Sequence, residues 1–249
     1  DHNVDGMKVK NNTISSLEIN GVYHDYDVVV ASADYHHIET LLDKEFRNYD
    51  EDYWKTRTFA PSSLIYYLGM KSPIPNLTHH TLFFEHPLDD HIECIYGEKK
   101  WPQNPLFYAC CPSKTDPNVA PANTENLFLL MPLATAISDD EETREKYLIH
   151  MLKRLEKHTG SNMLYEQIVY KRSYCVSDFV SDYNAYGGNA YGLANTLTQT
   201  AVLKPKIRNK KVKNLFYTGQ LTVPGPGVPP SIISGKIAAK EAIELLRKL

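Results

Sequence analysis

The sequence has little of what several large classes of protein require. Its charge is nearly balanced, with 27 Lys and Arg against 30 Asp and Glu and a formal net charge of -3. It therefore lacks the basic excess of a nucleic-acid-binding protein. No apolar run approaches the roughly 20 residues of a membrane-spanning helix, and the longest, residues 127–131, stops at Pro132. We predict neither a nucleic-acid partner nor a transmembrane segment.

Cysteine is also scarce, and the beginning of the sequence lacks a targeting signal. The 4 cysteines form neither a CxxC motif nor a regular disulfide ladder, which indicates a reducing compartment. The sequence starts at Asp1 rather than at a methionine, and no basic stretch followed by an apolar stretch comes next. The expected location is the cytoplasm, and the expected origin is a fragment or a processed chain.

Hydrophobic patterning predicts the elements at the amino-terminal end. Residues 13–19 alternate as a half-buried strand, and Asn20-Gly21 is a strong hairpin signal, so a β-hairpin is expected to begin the chain. Residues 28–31 form a β-branched run that is typical of a strand buried on both faces. A helix extending to Leu42 is expected after this strand.

The middle of the chain predicts a mostly antiparallel sheet. Its strand-length apolar runs, separated by proline-containing loops, are residues 62–69, 81–85, 106–110 and 126–131. Acidic residues at 139–142, followed by apolar residues at helical spacing, predict a long helix that ends near Gly160.

A strand over residues 212–219 and a helix starting at Pro229 and Pro230 are predicted at the carboxyl-terminal end. The buried face of this helix is expected to consist of Ile232, Ile233, Ile237, Ala238, Ile243, Leu245, Leu246 and Leu249. The elements together predict α/β ends that enclose an α+β middle.

The segment between that strand and helix, residues 218–231, is rich in glycine and proline. Proline fixes φ, whereas glycine allows positive φ and close approach of a ligand, so we expect a rigid cradle. It ends at a helix N-terminus, which favours an electron-rich ligand atom. The run 225–230 is a poor GxGxxG motif, because proline replaces the third glycine and no strand follows the helix. A stiff connecting turn remains the alternative.

Three segments resemble the phytoene desaturase family, which comprises bacterial and fungal carotenoid desaturases and related isomerases. Residues 216–239 resemble its flavin-binding signature, residues 27–34 its strand ending in Ala-Asp, and residues 186–194 its glycine- and aromatic-rich stretch. The resemblance implies an FAD-dependent oxidoreductase of carotenoid biosynthesis that desaturates a polyene such as phytoene, with hydride abstraction to the flavin.

The resemblance also implies a division of the chain. Residues 1–45 and 196–249 would form an incomplete FAD/NAD(P)-binding domain of the glutathione-reductase type, and residues 46–195 an inserted substrate domain of antiparallel sheet and helices. The family's first half, with the GxGxxG turn that holds the ADP part of FAD, has no counterpart in this sequence. The chain therefore resembles the C-terminal half of such an enzyme, and the N-terminal half is an expected partner.

The residues that the resemblance assigns to FAD binding are Thr218, Gly219, Gln220, Gly225, Gly227, Val228, Pro229, Pro230 and Ser231. Backbone amides of the helix start, near Pro230 and Ser231, are expected to face the N1/C2=O edge of the flavin. No catalytic side chain is expected. Tyr186 and Tyr191 lie beside glycines and are candidate polyene contacts, with ordinary core packing as the alternative.

Two further hypotheses concern partners. A polyene substrate is insoluble in water, so peripheral association with a membrane surface is expected.

The histidines His79, His80, His86 and His91 are expected to be solvated loop residues that bind no metal, because adjacent strand positions point to opposite faces. An amine oxidase-like flavoenzyme and a non-catalytic carotenoid or lipid carrier remain alternative functions.

Overall fold

A computed structural model describes residues 2–248. The predicted buried position Leu249 lies outside the described residues. In chain order, the strands and α-helices are β1 (Val4–Lys10), β2 (Thr13–Ile19), β3 (Val22–Asp25), β4 (Val29–Ala31), α1 (Tyr35–Thr40), α2 (Glu51–Lys55), β5 (Ser62–Met70), β6 (His80–Phe83), α3 (Leu88–Tyr96), β7 (Phe107–Cys110), β8 (Glu125–Leu133), α4 (Glu141–Thr159), β9 (Ile168–Tyr174), α5 (Val176–Tyr183), β10 (Leu215–Tyr217) and α6 (Val228–Leu246).

The chain divides into two compact units. The inserted unit is Pro61–Phe179, and the outer unit contains the chain up to Ala60 and from Val180 onward. The inserted part that the resemblance implies is residues 46–195, whereas this compact unit is Pro61–Phe179. The assignment of FAD and substrate to these parts stays a prediction.

The outer unit contains two small sheets. Strands β1, β2 and β3 form an antiparallel sheet, and β4 pairs with β10 in parallel. The buried Asn214 joins the sheets, because its side chain bonds the N–H and C=O of Ile14 at 2.8 and 3.0 Å and the carbonyl of Asp27 at 2.9 Å. The ends of strands far apart in sequence are thereby held together.

The predicted hairpin of the outer unit is confirmed, but it does not come first. Asn20 and Gly21, with φ of 51° and 76°, make the tight turn between β2 and β3. The unpredicted strand β1 precedes them and pairs with β2. The prediction that β4 is buried on both faces is wrong, since Val30 is 44% exposed.

The sheet of the inserted unit is antiparallel, as predicted, and its strand order is β6-β7-β8-β5-β9, in which β9 is a strand that was not predicted. Helix α4 packs its apolar face into the same core, through Leu148, Met151 and Leu155. Asp140 caps its first turn and Gly160, at φ 73°, ends it. The predicted long helix is therefore confirmed.

The predicted buried face of α6 is largely wrong. Of the predicted residues within 2–248, Ala238 is buried and Leu245 is half-buried, whereas Ile232 is 69% exposed and Ile233 is 47% exposed. The helix instead buries Ser234, Ala238 and Ala242. Small side chains on this face bring the helix close to β10, and the isoleucines lie on the open side.

Candidate functional site

The carboxyl ends of β4 and β10 form the centre of the candidate site. After β10, the Thr218 N–H donates to the Ala31 carbonyl of β4 at 2.9 Å. Gly219 follows with φ 106°, and a Cβ there would lie 3.8 Å from the Ser32 carbonyl oxygen. Ligands of open α/β sheets bind outside the carboxyl ends of the parallel strands, so both segments are in a suitable place.

Asp34 connects the end of β4 to the glycine-rich segment at 186–194. Its Oδ1 accepts from the His36 N–H at 3.0 Å, which caps α1. Its Oδ2 accepts from the Tyr186 N–H at 3.3 Å and from Asn189 Nδ2 at 3.4 Å. Burial raises the pKa of Asp34. One carboxylate therefore orients both a helix and a loop.

Asn189 extends this network to the glycine- and proline-rich loop. The residue is 1% exposed, and its Oδ1 accepts from the Gly192 N–H at 2.8 Å and from Gln220 Nε2 at 3.3 Å. Gly192 has φ 74°, and a Cβ there would lie 3.1 Å from the Gln220 carbonyl oxygen. The structure thus brings together the three segments that carry the family resemblance.

The first part of the loop is fixed to α6 by Ser234. The buried Ser234 Oγ accepts from the Gly219 N–H at 2.9 Å, lies 2.7 Å from Thr218 Oγ1 and donates to the Ser231 carbonyl at 2.8 Å. Thr222 adds a bond from its N–H to the Gly219 carbonyl at 3.1 Å. The loop has the defined shape that its composition predicts.

The start of α6 offers fewer amides than the sequence led us to expect. Gly227 is the N-cap with φ 111°, and Val228 is the first helical residue. Pro229 and Pro230 have no N–H, and the Ser231 N–H donates to the Gly227 carbonyl at 2.9 Å. Pro229, Pro230 and Ser231 therefore offer no unbonded N–H group, and that amides of this helix start face the flavin stays a prediction. Val228 has the N–H of this turn that can donate to a ligand.

The side chain of Lys204 occupies the space beside Gly225. Gly225 has φ 132°, and a Cβ on it would lie 3.0 Å from Lys204 Cε and 3.4 Å from Nζ. Lys204 is 1% exposed, and its Nζ has no hydrogen-bond partner among residues 2–248. Burial lowers its pKa. Sequence analysis missed this residue, since nothing in Lys204-Pro205-Lys206 distinguishes it from a surface lysine.

The two predicted polyene contacts differ in their surroundings. The ring of Tyr186 packs in an aromatic cluster, with ring centroids 5.1 Å from Phe59 and 4.5 Å from His36. Tyr191 is 42% exposed. Tyr186 thus makes the core contacts that the alternative interpretation describes, and a polyene contact by either tyrosine stays a prediction.

The inserted unit has an apolar pocket at the edge of its sheet. Among its lining residues are Leu82, Phe84, Leu88, Ile92 and Leu130. The first four also have side chains that are 40 to 65% exposed, so the pocket opens into an apolar surface. Such contiguous exposure is uncommon on soluble proteins and indicates a contact surface.

The structure contradicts the predicted positions of His79 and His80 but does not test whether they bind a metal. His79 precedes β6, so strand alternation does not apply to it, and ligand atoms of His79, His80 and Cys110 lie within 4.8 Å of one another. The argument that His79 and His80 cannot face one ion is therefore wrong. Their Nδ1 atoms also contact the Thr115 and Tyr108 hydroxyls, at 2.6 and 2.5 Å. That they bind no metal stays a prediction.

His91 is not the solvated loop residue that was expected. It lies in α3, is 4% exposed, and its two ring nitrogens bond the Pro132 carbonyl and the Leu106 N–H, both at 2.8 Å. These bonds connect the helix to the neighbouring strand region, and burial lowers the pKa of His91. The residue is therefore structural.

Sequence comparison supplies relatives of known activity. The carotenoid 3,4-desaturase of Haloarcula japonica is 44% identical over 219 residues, which are 88% of this chain and 44% of that protein. The chain is thus similar in sequence to carotenoid and phytoene desaturases. The 4,4'-diapophytoene desaturase of Staphylococcus haemolyticus is 27% identical over 92% of this chain and 47% of that protein. No family model matches the chain.

The relatives are longer than this chain, which spans about half their length. Structure comparison gives the same proportion. An oxidoreductase from Methanosarcina mazei has a TM-score of 0.56 and 14% identity, over 96% of this chain and 49% of that protein. At this identity the likeness shows the fold alone, with its mixed sheets and helices.

Proposed function

We propose that this chain is part of an FAD-dependent oxidoreductase that desaturates a long carotenoid polyene. The observation that carries the proposal is the network of Asp34, Asn189 and Gln220, which joins three separate segments beside the carboxyl ends of β4 and β10. The names of the relatives supply the substrate class.

The residues of the loop fit a flavin. Positive φ at Gly219, Gly225 and Gly227 gives a backbone shape that ordinary side chains disfavour, and a buried lysine ammonium lies beside the loop. The holding residues would be Thr218, Gly219, Gln220, Gly225, Gly227, Val228, Pro229, Pro230 and Ser231. FAD, when bound, supplies the acceptor for a hydride equivalent from an allylic carbon.

The chain's own residues would bind and orient rather than react. The Val228 N–H and the positive end of the α6 dipole favour an electron-rich ligand edge. Ser234 and Asn189 hold the loop in place before the ligand arrives, which lowers the ordering cost of binding. Tyr186 and Tyr191 are the proposed polyene contacts.

We further propose that the outer unit is one part of a glutathione-reductase-like FAD-binding domain. Its parallel sheet has two strands, and a sheet of that size is marginal without additional strands or cover. Ile232 and Ile233 of α6 and Val30 of β4 present exposed apolar surface. An N-terminal half with a GxGxxG turn would bury such surface and hold the ADP part of FAD.

The apolar surface formed by Leu82, Phe84, Leu88 and Ile92 is the proposed contact with a membrane in which the polyene dissolves. Within residues 2–248, none of the helices has the length and apolar character needed to cross a bilayer. Attachment would therefore be peripheral, through side chains that enter the interface.

The function is tested with the full-length gene product under anaerobic conditions. Addition of phytoene or dehydrosqualene should bleach the absorbance of bound FAD and yield a desaturated product, whereas amines should leave the spectrum unchanged. Bleaching by amines would favour the amine oxidase alternative, and polyene binding without flavin would favour the carrier.

A glycine pair tests the cofactor site. We expect G227A to lose at least about tenfold in FAD affinity, because φ 111° is strained for alanine at the helix start. G21A is the control, since Gly21 also has positive φ but lies in the β2–β3 hairpin with open space around it. Equal FAD affinity of the two variants would contradict the assignment.

A further inference from the structure

Lys204 presents a buried charge that the fold itself does not use. Its backbone N–H donates to the Ala201 carbonyl at 3.2 Å, and its side chain runs along the backbone of Gly225. The residue is 1% exposed, and its Nζ has no hydrogen-bond partner within the described part of the chain. Burying a charged group without a partner destabilises a protein by several kcal/mol.

A neighbouring lysine, Lys206, has the exposed and hydrogen-bonded ammonium that is usual for this residue type. Lys206, two residues later, is exposed, and its Nζ donates to the Val202 carbonyl at 2.8 Å. An apolar side chain at position 204 would fill the same space beside Gly225 without the desolvation cost. The ammonium at 204 therefore needs a partner that the described protein atoms do not supply.

The start of α6 explains which partner it needs. Two prolines remove N–H groups from the first turn, and Ser231 uses its own within the helix, so the helix start has fewer amide donors than an ordinary first turn. A ligand edge that gains negative charge at this loop would need another donor. Lys204 lies against the same loop, at Gly225.

We propose that Lys204 Nζ donates a hydrogen bond to the electron-rich edge of the flavin ring and that its charge favours the reduced cofactor over the oxidised one. The inference rests on the proposed FAD function and assigns a positioning and electrostatic residue to that site. The lysine replaces the helix-start amides that Pro229 and Pro230 lack. Gly225 is a glycine because a side chain there would displace the lysine.

The test is the reduction potential of FAD in the full-length protein, measured by spectroelectrochemical titration. K204M keeps the volume and removes the charge. It should bind reduced FAD about tenfold more weakly relative to oxidised FAD, which lowers the potential by about 30 mV. K204R should retain most of the potential, and the matched control K206M should equal the unmodified protein.

Other outcomes separate this inference from the proposed function. Equal potentials of K204M and the unmodified protein would overturn the role of Lys204 while leaving FAD binding intact. Absence of FAD from the unmodified protein would overturn both. Stability without FAD provides a second measurement: K204M should unfold at a higher temperature, and a lower one would show that the fold itself uses the ammonium, against the proposal.

Discussion

Glu39 is buried in the core of the outer unit, where three hydrogen-bond donors surround its carboxyl group. It is 1% exposed, and its oxygens accept from the Asn48 N–H at 2.7 Å, the Tyr49 N–H at 3.0 Å and the Tyr217 hydroxyl at 3.1 Å. Burial nevertheless dominates and raises its pKa to about 7. The group therefore titrates in the neutral range.

This pKa predicts a pH-dependent stability. The folded state holds the Glu39 proton more tightly than the unfolded state, so its contribution is complete below pH 4.5 and is lost as pH rises through about 7. The loss is at most about 3 kcal/mol. Urea unfolding at pH 5 and pH 8 should show a smaller difference in E39Q than in the unmodified protein. An equal difference would mean that Glu39 titrates as an ordinary carboxyl.

Two left-handed glycines separate backbone strain from steric overlap. Gly160 and Gly192 have φ of 73° and 74°, but Gly160 has open space around it, whereas a Cβ on Gly192 would lie 3.1 Å from the Gln220 carbonyl oxygen. We expect G160A to cost about 1 kcal/mol of unfolding free energy and G192A about 2–4 kcal/mol. Equal costs would show that the 186–194 segment moves away easily.

The aspartates that cap α1 and α4 differ in the contacts that they make outside their helices. Asp34 caps α1 and also binds Tyr186 and Asn189, whereas Asp140 caps α4 through Thr143 at 2.8 Å. D140A should destabilise its helix by about 1 kcal/mol.

D34A should cost about 2–3 kcal/mol, because two donors outside the helix lose their acceptor as well. Hydrogen exchange at the Tyr186 backbone N–H should accelerate in D34A and remain unchanged in D140A. Unchanged exchange in both variants would mean that Asp34 does not hold the 186–194 segment.

The elements that were predicted correctly are those whose sequence signals lie within one short segment. The β2–β3 hairpin and helix α4 were found because turn residues, caps and apolar spacing lie within one segment. Strand β1 was missed because its side chains do not alternate regularly, and its register with β2 shifts between Val4 and Gly6 and again between Lys8 and Val9. The buried face of α6 was assigned by hydrophobicity, whereas close contact with β10 selects Ser234, Ala238 and Ala242. That choice depends on tertiary structure.

The same distinction applies to the candidate site. The glycines and prolines of residues 218–231 could be recognised as a shaped loop, because their conformational limits are properties of single residues. The bonds of Asn189 to Asp34 and Gln220 join residues distant in sequence, so no local pattern predicts them. The burial of Lys204 depends on the fold of the loop around Gly225.

The apolar surface of the inserted unit predicts the membrane behaviour of the whole molecule. Replacing Leu88 and Ile92, which are 51% and 40% exposed, by glutamate in L88E/I92E should reduce flotation of the full-length protein with anionic liposomes severalfold. V169E/Y170E is the control, because these β9 side chains are also exposed, at 67% and 56%, outside that surface. Equal loss in both variants would exclude a specific contact.

The parallel pair of β4 and β10 has a consequence for biosynthesis. Val29 pairs with Leu215, and all of the inserted unit lies between them in the sequence. On the ribosome, β4 must therefore wait until residues 215–217 have emerged, while residues 61–179 can already condense around their own core. Prior condensation shortens the effective loop that the final pairing must close. We therefore expect the inserted unit to fold first and to assist the pairing of the strands on either side of it.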